Sequence, residues 1–449
     1  MQNRCGVLGQ FLSVFALSLL GAIEAGAQPL PFDPCEVYPS NAAQRAIRIK
    51  ELIAKFGYED FHEPPVVRPT SANTAYELVV QYSKGRKIAG CLVELRSYNG
   101  KLVGSTIRAQ PGDTLYIRLT NKLPADISNT HPQPPPHSHG GHFSFNITNL
   151  HTHGLNTSPS GDSDNVFLQV DPEKYSGDPK GTQLYRIHIH DKHPTGTFWY
   201  HAHFHGSTAV QVSSGMAGAI IVEGGQDANG GLDAVPEIQA AEQKIFVLQQ
   251  IRFGPDGKLE DFAKAISDKD WSRNITVNGV FVPTIRIQPG EVQRWRFIHA
   301  GVEENIHLSL EGHRLHEVAA DGLALGRRVD WPAAGPPQEK VRSLLLGPGY
   351  RTDVLVKAAP LPAGQSSKEY MLLDERLPAA FSIQAASAAK RLARSSALTT
   401  GAEVMAAIGD KPEKIIARVI GRDNRKRCRC RALKPFEIGC RATLSPSRY

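Results

Sequence analysis

Several things are missing from this 449-residue sequence. Beyond its N-terminal segment it has no apolar run of the roughly 18–20 residues that a spanning helix needs, which argues against a polytopic membrane protein. It lacks the repeats of collagen and of a coiled coil, and aromatic residues make up only 7%. The body holds two cysteines, Cys35 and Cys91, and no histidine follows His316. Basic charge is also missing from the body. The formal net charge is +7, yet residues 414–449 hold 11 Lys+Arg against 2 Asp+Glu, which leaves the other 413 residues at −2. No basic face with interleaved aromatics appears there, so nucleic-acid binding is not expected.

Turn-forming residues are abundant, with Gly 40 and Pro 31 beside 41% apolar residues. That mixture favours short strands and turns over helical bundles. At roughly 150 residues per domain the length suits about three domains, or two with extensions. The N-terminus reads as a secretory signal: Arg4, an apolar run from Phe11 to Ile23, then Ala25 and Ala27 at the positions a signal peptidase reads. An uncleaved anchor is the other reading. Export implies an oxidising compartment, periplasmic or extracellular, where Cys35 and Cys91 either pair or remain free thiols. After cleavage no transmembrane segment is expected.

Residues 28–75 read as an irregular, Pro-bearing extension with a short helical patch around 42–56. From 76 the text becomes strand-like, at 76–82, 105–109, 114–120, 146–153, 185–190, 197–203 and 216–223. The pattern resumes at 244–251, 274–278, 284–287, 292–299, 306–311 and 353–356. Regular short strands separated by turn signals indicate a sandwich or barrel. Ile107–Arg118 and Ile285–Phe297 echo each other as strand, Pro-Gly turn, strand, with an acid just after the Gly. An offset of 178 residues marks a domain repeat rather than a solenoid.

The chemistry sits in the histidines. His151-Thr152-His153 ends one strand-like run, and His201-Ala202-His203 follows Trp199 and Tyr200 on another. Residues i and i+2 of a strand share a face, roughly 6.5–7 Å apart, so each pair offers two imidazoles to one site. Four neutral imidazoles from two adjacent strands suit copper, zinc, nickel or iron. Other histidines carry weaker signals. His205 continues the face of His201 and His203, as a neighbour of the site or a solvent-facing residue. His188 and His190 read as a strand face, and His131, His137, His139 and His142 lie in a Pro-rich loop.

These motifs resemble those of the multicopper oxidases, the laccase-like family of bacterial type built from cupredoxin domains. The resemblance rests on Thr148–Leu155, Ser163–Phe167, His193–Gly206 and Gln211–Gly218, and it spans roughly 76–420. It implies an all-β chain with two cupredoxin-like Greek-key β-sandwich domains, an N-terminal extension and an irregular C-terminal tail. It implies that His151 ligates a type 2 copper and that His153, His201 and His203 ligate a type 3 pair. Dioxygen would be reduced to water there, at the expense of a small reducing substrate such as a phenol or a metal ion. Asp164 matches an acidic residue that assists proton delivery; a turn-capping role is the other reading. Trp199 and Tyr200 are expected to pack around the ligand strand. His299, His307, His313 and His316 fall in a second domain that carries no ligands in three-domain relatives.

The sequence also departs from the family. Two motifs, H-P-x-H-x-H and H-C-H-x-x-x-H, supply the type 1 copper and four more cluster ligands in relatives, and neither occurs here. Type 2 and type 3 ligands are thus partly present and type 1 ligands absent. The segmentation expected is a signal peptide at 1–27, the extension at 28–75, a first domain with the ligand motifs at 76–235 and a second at 236–385. A linker or the start of a third domain follows at 386–420, then an anomalous basic tail with Cys428, Cys430 and Cys440 at 421–449. That tail reads either as a shifted reading frame near residue 421 or as a genuinely shortened protein. Three functions follow: a copper-dependent oxidase, incomplete in this chain; a periplasmic copper-binding protein without turnover; or a copper-free cell-envelope assembly protein of the same fold. The retained ligand pairs argue against the last. Oligomeric state is left open.

Overall fold

The computed structural model describes Cys35 and residues 51–125, 144–172, 181–224, 231–260, 272–332, 343–375 and 414–422. The signal segment, the His-rich loop and the basic tail beyond residue 422 lie outside them. What is described is almost entirely β, in two sandwiches.

In the first sandwich a four-stranded sheet runs in the order Arg96–Tyr98, Tyr76–Tyr82, Thr114–Asn121, Thr182–His188. The strand Thr114–Asn121 alternates strictly, burying Leu115, Ile117 and Leu119, as one wet and one dry face require. The facing sheet is ordered Val66–Val67, Thr106–Ala109, Ala217–Val222, Gly196–His201, His151–His153. Here Ala217–Val222 is buried at every position. One face, with Ile220 and Val222, enters the core of the first sandwich. The other, with Ala217, Ala219 and Ile221, packs on Ile245, Val247, Ile298 and Ala300 of the second. The sheet that carries the histidines is therefore held between two cores.

The second sandwich pairs a seven-stranded sheet around Glu242–Phe253, Val292–Ala300 and Arg351–Lys357 with a five-stranded one. Its core centres on Phe246, Trp295 and Phe297. The repeat is visible at atomic level. Asp113 Oδ2 accepts the Gln110 N–H at 2.7 Å, and Glu291 Oε2 accepts the Gln288 N–H at 2.6 Å. Gly112 and Gly290 sit between them at φ +88° and +78°, a conformation glycine takes without strain. Each turn passes the chain from one sheet of its sandwich to the other.

Two boundaries differ from the sequence reading. Residues 414–420, expected in a linker or a third domain, form the strand Lys414–Arg422. It lies between Thr284–Ile287 and Ser367–Asp374 in the five-stranded sheet. Its apolar residues Ile416, Ala417 and Val419 fill the second core, so burial decides its membership. The extension is likewise not loose. Val66 and Val67 pair with Thr106 and Ile107, Asp60 bridges to Thr284, and Phe61 packs on Phe246 with ring centroids 5.0 Å apart. It straps both sandwiches together. Cys35 and Cys91 are joined by a disulfide.

Candidate metal centre

His151–His153 is an edge strand, antiparallel to Gly196–His201. The register sets His151 opposite His201 and His153 opposite Trp199. The ring nitrogens of His151, His153 and His201 consequently lie within 4.8 Å of one another. The fourth expected residue arrives differently. The strand stops at His201, and His203 is held by its backbone, whose N–H donates to Asn149 Oδ1 at 2.8 Å. Its ring centroid is 5.0 Å from that of His151. Asn149 is fully buried and also donates to the Val166 carbonyl, so one side chain ties both halves of the site together.

The tautomers are set by neighbours. Asp164, 7% exposed, accepts from His151 Nδ1 at 3.0 Å and from the Thr152 backbone N–H at 2.9 Å. Its place beside His151 fits either expected role, and the Thr152 bond also closes the open edge of the strand. His201 Nδ1 donates to the Ala202 carbonyl at 2.8 Å. With Nδ1 occupied, Nε2 of His151 and of His201 is left with its lone pair, the usual preparation of an imidazole ligand. His153 Nδ1 lies 3.4 Å from His201 Nε2. Two ring nitrogens from different strands thus meet at a point that only a proton or a cation can fill.

Three of these rings, His153, His201 and His203, are held neutral. His153 is pushed down to about 4, first by desolvation, then by the Arg351 guanidinium and the neighbouring imidazoles. Burial holds His201 well below the ordinary range, and His203, which is exposed at the surface, is lowered by partial desolvation and by the His151 imidazole. Neutral imidazoles are what a metal requires. A borderline-soft, nitrogen-binding cation such as copper, zinc or nickel suits a donor set made only of imidazoles.

Trp199, expected in the core, does more than pack. Its ring stacks on His201 with centroids 4.1 Å apart and on His153 at 5.0 Å. Tyr200 is core, its hydroxyl donating to the Ser105 carbonyl at 2.8 Å. The remaining histidines stand apart from the trio. His193 is a loop brace: its Nε2 accepts from the Asn156 N–H and its Nδ1 donates to the Pro194 carbonyl. His188 meets Thr114 Oγ1, His190 accepts from the Lys192 N–H, and His205 is exposed. His316 pairs with Asp330 on the second sandwich. The four histidines of the Pro-rich loop lie outside the described residues.

The second sandwich's part in this wall has no counterpart in any sequence motif. Gly349 abuts His153, such that an added Cβ would lie 3.1 Å from His153 Cε1. Asp353, fully buried, accepts from Thr197 Oγ1 on the ligand strand at 2.6 Å and from Arg294 and Arg296 at 2.7 and 3.0 Å. These residues have no spacing signature, because the fold brings them in from over 150 residues away.

Two family models, both described as multicopper oxidase, match residues 143–227 and 255–394. A laccase of Neurospora crassa is 27% identical over 270 residues, covering 58% of this chain and 35% of that protein. The multicopper oxidase mco of Staphylococcus aureus is 23% identical over 316 residues, covering 68% and 59%. The chain therefore spans between about a third and three fifths of the length of these curated relatives. Among solved structures, a multicopper oxidase from Campylobacter jejuni superposes with a TM-score of 0.54 at 18% identity, covering 81% of this chain and 61% of that one. A bacterial laccase-like multi-copper oxidase from Ochrobactrum sp. gives 0.52 at 22%, covering 80% and 63%. These likenesses agree with the two-sandwich fold. One matched stretch contains both histidine pairs and the other spans most of the sandwich behind them, and on that ground the chain belongs to the multicopper oxidase family.

Proposed function

We propose that this chain binds copper through His151 as a type 2 ligand and through His153, His201 and His203 as type 3 ligands. In this reading it serves an oxidase that couples one-electron oxidation of phenols or metal ions to the reduction of dioxygen to water. The observation that carries the proposal is the convergence of three imidazoles, with the Nδ1 protons of His151 and His201 already committed to neighbours. Copper bound there supplies single-electron redox chemistry and a place for dioxygen to bind. The protein's own part is to orient and to exclude. Asp164 holds the proton on His151 Nδ1, Asn149 fixes the His203 backbone, and Trp199 covers the buried side of His153 and His201. The half-exposed side of His151, with Asp164 behind it, is where protons from solvent would enter.

Both substrate classes have support in relatives. The Campylobacter protein is described as a metallo-oxidase, and the Ochrobactrum enzyme as active towards lignin model compounds and lignosulfonate. Export to the periplasm or the exterior is part of the proposal, supported by the Cys35–Cys91 disulfide. A second reading, copper holding without turnover, needs only the converging imidazoles and the neighbours that orient them.

Copper titration of the purified chain, with optical spectra and oxygen uptake, tests these readings. Copper binding that is lost in the His201→Ala/His203→Ala variant supports the ligand assignment. Oxygen consumption with a phenol or a reduced metal ion supports the oxidase, and binding without it supports copper holding. A wild-type chain that binds no copper would overturn both and leave the assembly-protein reading.

A further inference from the structure

Among the described residues the second sandwich adds no histidine to the cluster, yet it touches His153. Its loop 347–351 runs Gly-Pro-Gly-Tyr-Arg and reaches the metal centre through Gly349. An added Cβ at Gly349 would lie 3.1 Å from His153 Cε1, 3.4 Å from His153 Nε2 and 3.9 Å from Trp199 Cζ2. The loop therefore abuts His153 and the Trp199 ring stacked on it at once. The loop itself is braced. Its Gly349 N–H donates to the His299 carbonyl at 2.8 Å, and the Tyr350 carbonyl accepts from the His299 N–H at 2.9 Å.

Arg351 closes the arrangement. Its side chain is 7% exposed and its guanidinium spans both sandwiches. Nη1 donates to the Gly349 carbonyl at 3.1 Å and pairs with Asp321 Oδ1 at 3.0 Å; Nη2 donates to the Asp321 carbonyl at 3.0 Å. Nε points at the Thr197 carbonyl on the ligand strand at 3.4 Å. The group sits over the Phe198 ring at 5.9 Å and against Gly154, the residue after His153, where a Cβ would come within 2.4 Å of Nη2. Only a glycine there leaves room for it. A planar fork with five donors can hold four such contacts at once; a lysine cannot.

We infer that Arg351 is a positioning residue for the metal centre: it locks the Gly349 loop onto the ligand strand and thereby fixes the ring of His153. This deepens the copper reading and rests on it. The guanidinium's charge also helps to hold His153 neutral, and the lysine variant separates that charge from the fork.

The test uses the full chain with and without copper(I), measured against a chromophoric chelator. Arg351→Met is expected to weaken copper by about 10–100-fold, the usual cost of losing a residue that orients a ligand. Arg351→Lys, which keeps the charge but not the fork, should fall with it. In a His153→Ala background the same change should cost nothing further, because its effect runs through His153. A readout without metal accompanies this: in histidine-labelled protein the His153 Cε1–H resonance, shifted by the stacked Trp199 ring, should move in Arg351→Met while that of His299 stays. Should Arg351→Met fail to fold, Gly349→Ala serves instead, its methyl directed at His153. Unchanged affinity with an unmoved resonance, full recovery by Lys, or an equal loss without His153 would each overturn the inference. If the wild-type chain takes up no copper, the copper reading falls, while the metal-free resonance still decides whether Arg351 positions His153.

Discussion

At the scale of single residues the centre depends on protons held in particular places. Asp164→Asn keeps an oxygen for the Thr152 N–H but removes the anion that fixes the His151 tautomer. Copper affinity is expected to fall by about tenfold or more, with the melting temperature nearly unchanged; calorimetric titration beside a thermal melt checks both. The same logic sets a pH dependence. His153 and His299 are each pushed down to about 4, chiefly by burial, against an ordinary histidine value of about 6.5. As pH falls below that ordinary value the unfolded chain takes up protons that the folded chain refuses. Stability of the metal-free protein should thus be full above about pH 6.5 and decline until about pH 4, by up to about 3 kcal/mol for the deeply buried His299. Urea melts at pH 7.5, 5.5 and 4.5 would show it, and a midpoint constant over that range would contradict it.

At the scale of elements, the ligand strand is supported by charge as much as by packing. Asp353 on the second sandwich ties Thr197 of the ligand strand to the buried Arg294 and Arg296. Removing one partner of a buried ionic group strands the others, at about 3–5 kcal/mol. Asp353→Ala should cost about that much in denaturant unfolding, and far more than Asp330→Ala in the exposed cluster with His316. Most strands could be read from the sequence, because a half-buried strand such as Thr114–Asn121 writes its alternation into the text. The paired histidines were legible for the same reason: spacing of two on a strand puts both on one face. Leu323–Trp331 escaped notice because it is an edge strand interrupted by Gly326 at φ +65°. Lys414–Arg422 escaped because Lys, Arg and Gly flank and interrupt its apolar residues. His203 lies past the end of its strand, so alternation alone does not explain its position. Arg351, Asp353 and Gly349 left no local mark at all, since what they do depends on contacts between sandwiches.

At the scale of the whole molecule, the N-terminal strap and its disulfide govern how the two sandwiches are held. The Cys35–Cys91 bridge closes a span of 56 residues, which in the chain-entropy picture is worth up to about 4 kcal/mol. Reduction, or a Cys35→Ser/Cys91→Ser variant, is expected to lower the unfolding free energy by about 2–4 kcal/mol. An unfolding transition indifferent to reductant would refute this. One further consequence concerns time. The five-stranded sheet of the second sandwich has Lys414–Arg422 between Thr284–Ile287 and Ser367–Asp374, so it cannot close until the ribosome has made residue 422. A nascent chain can complete the histidine-bearing sandwich long before that, yet the wall that presses on His153 belongs to the half that must wait. The order of synthesis thus separates the appearance of the ligands from the moment they are locked, leaving an interval in which the imidazoles exist but are not yet arrayed.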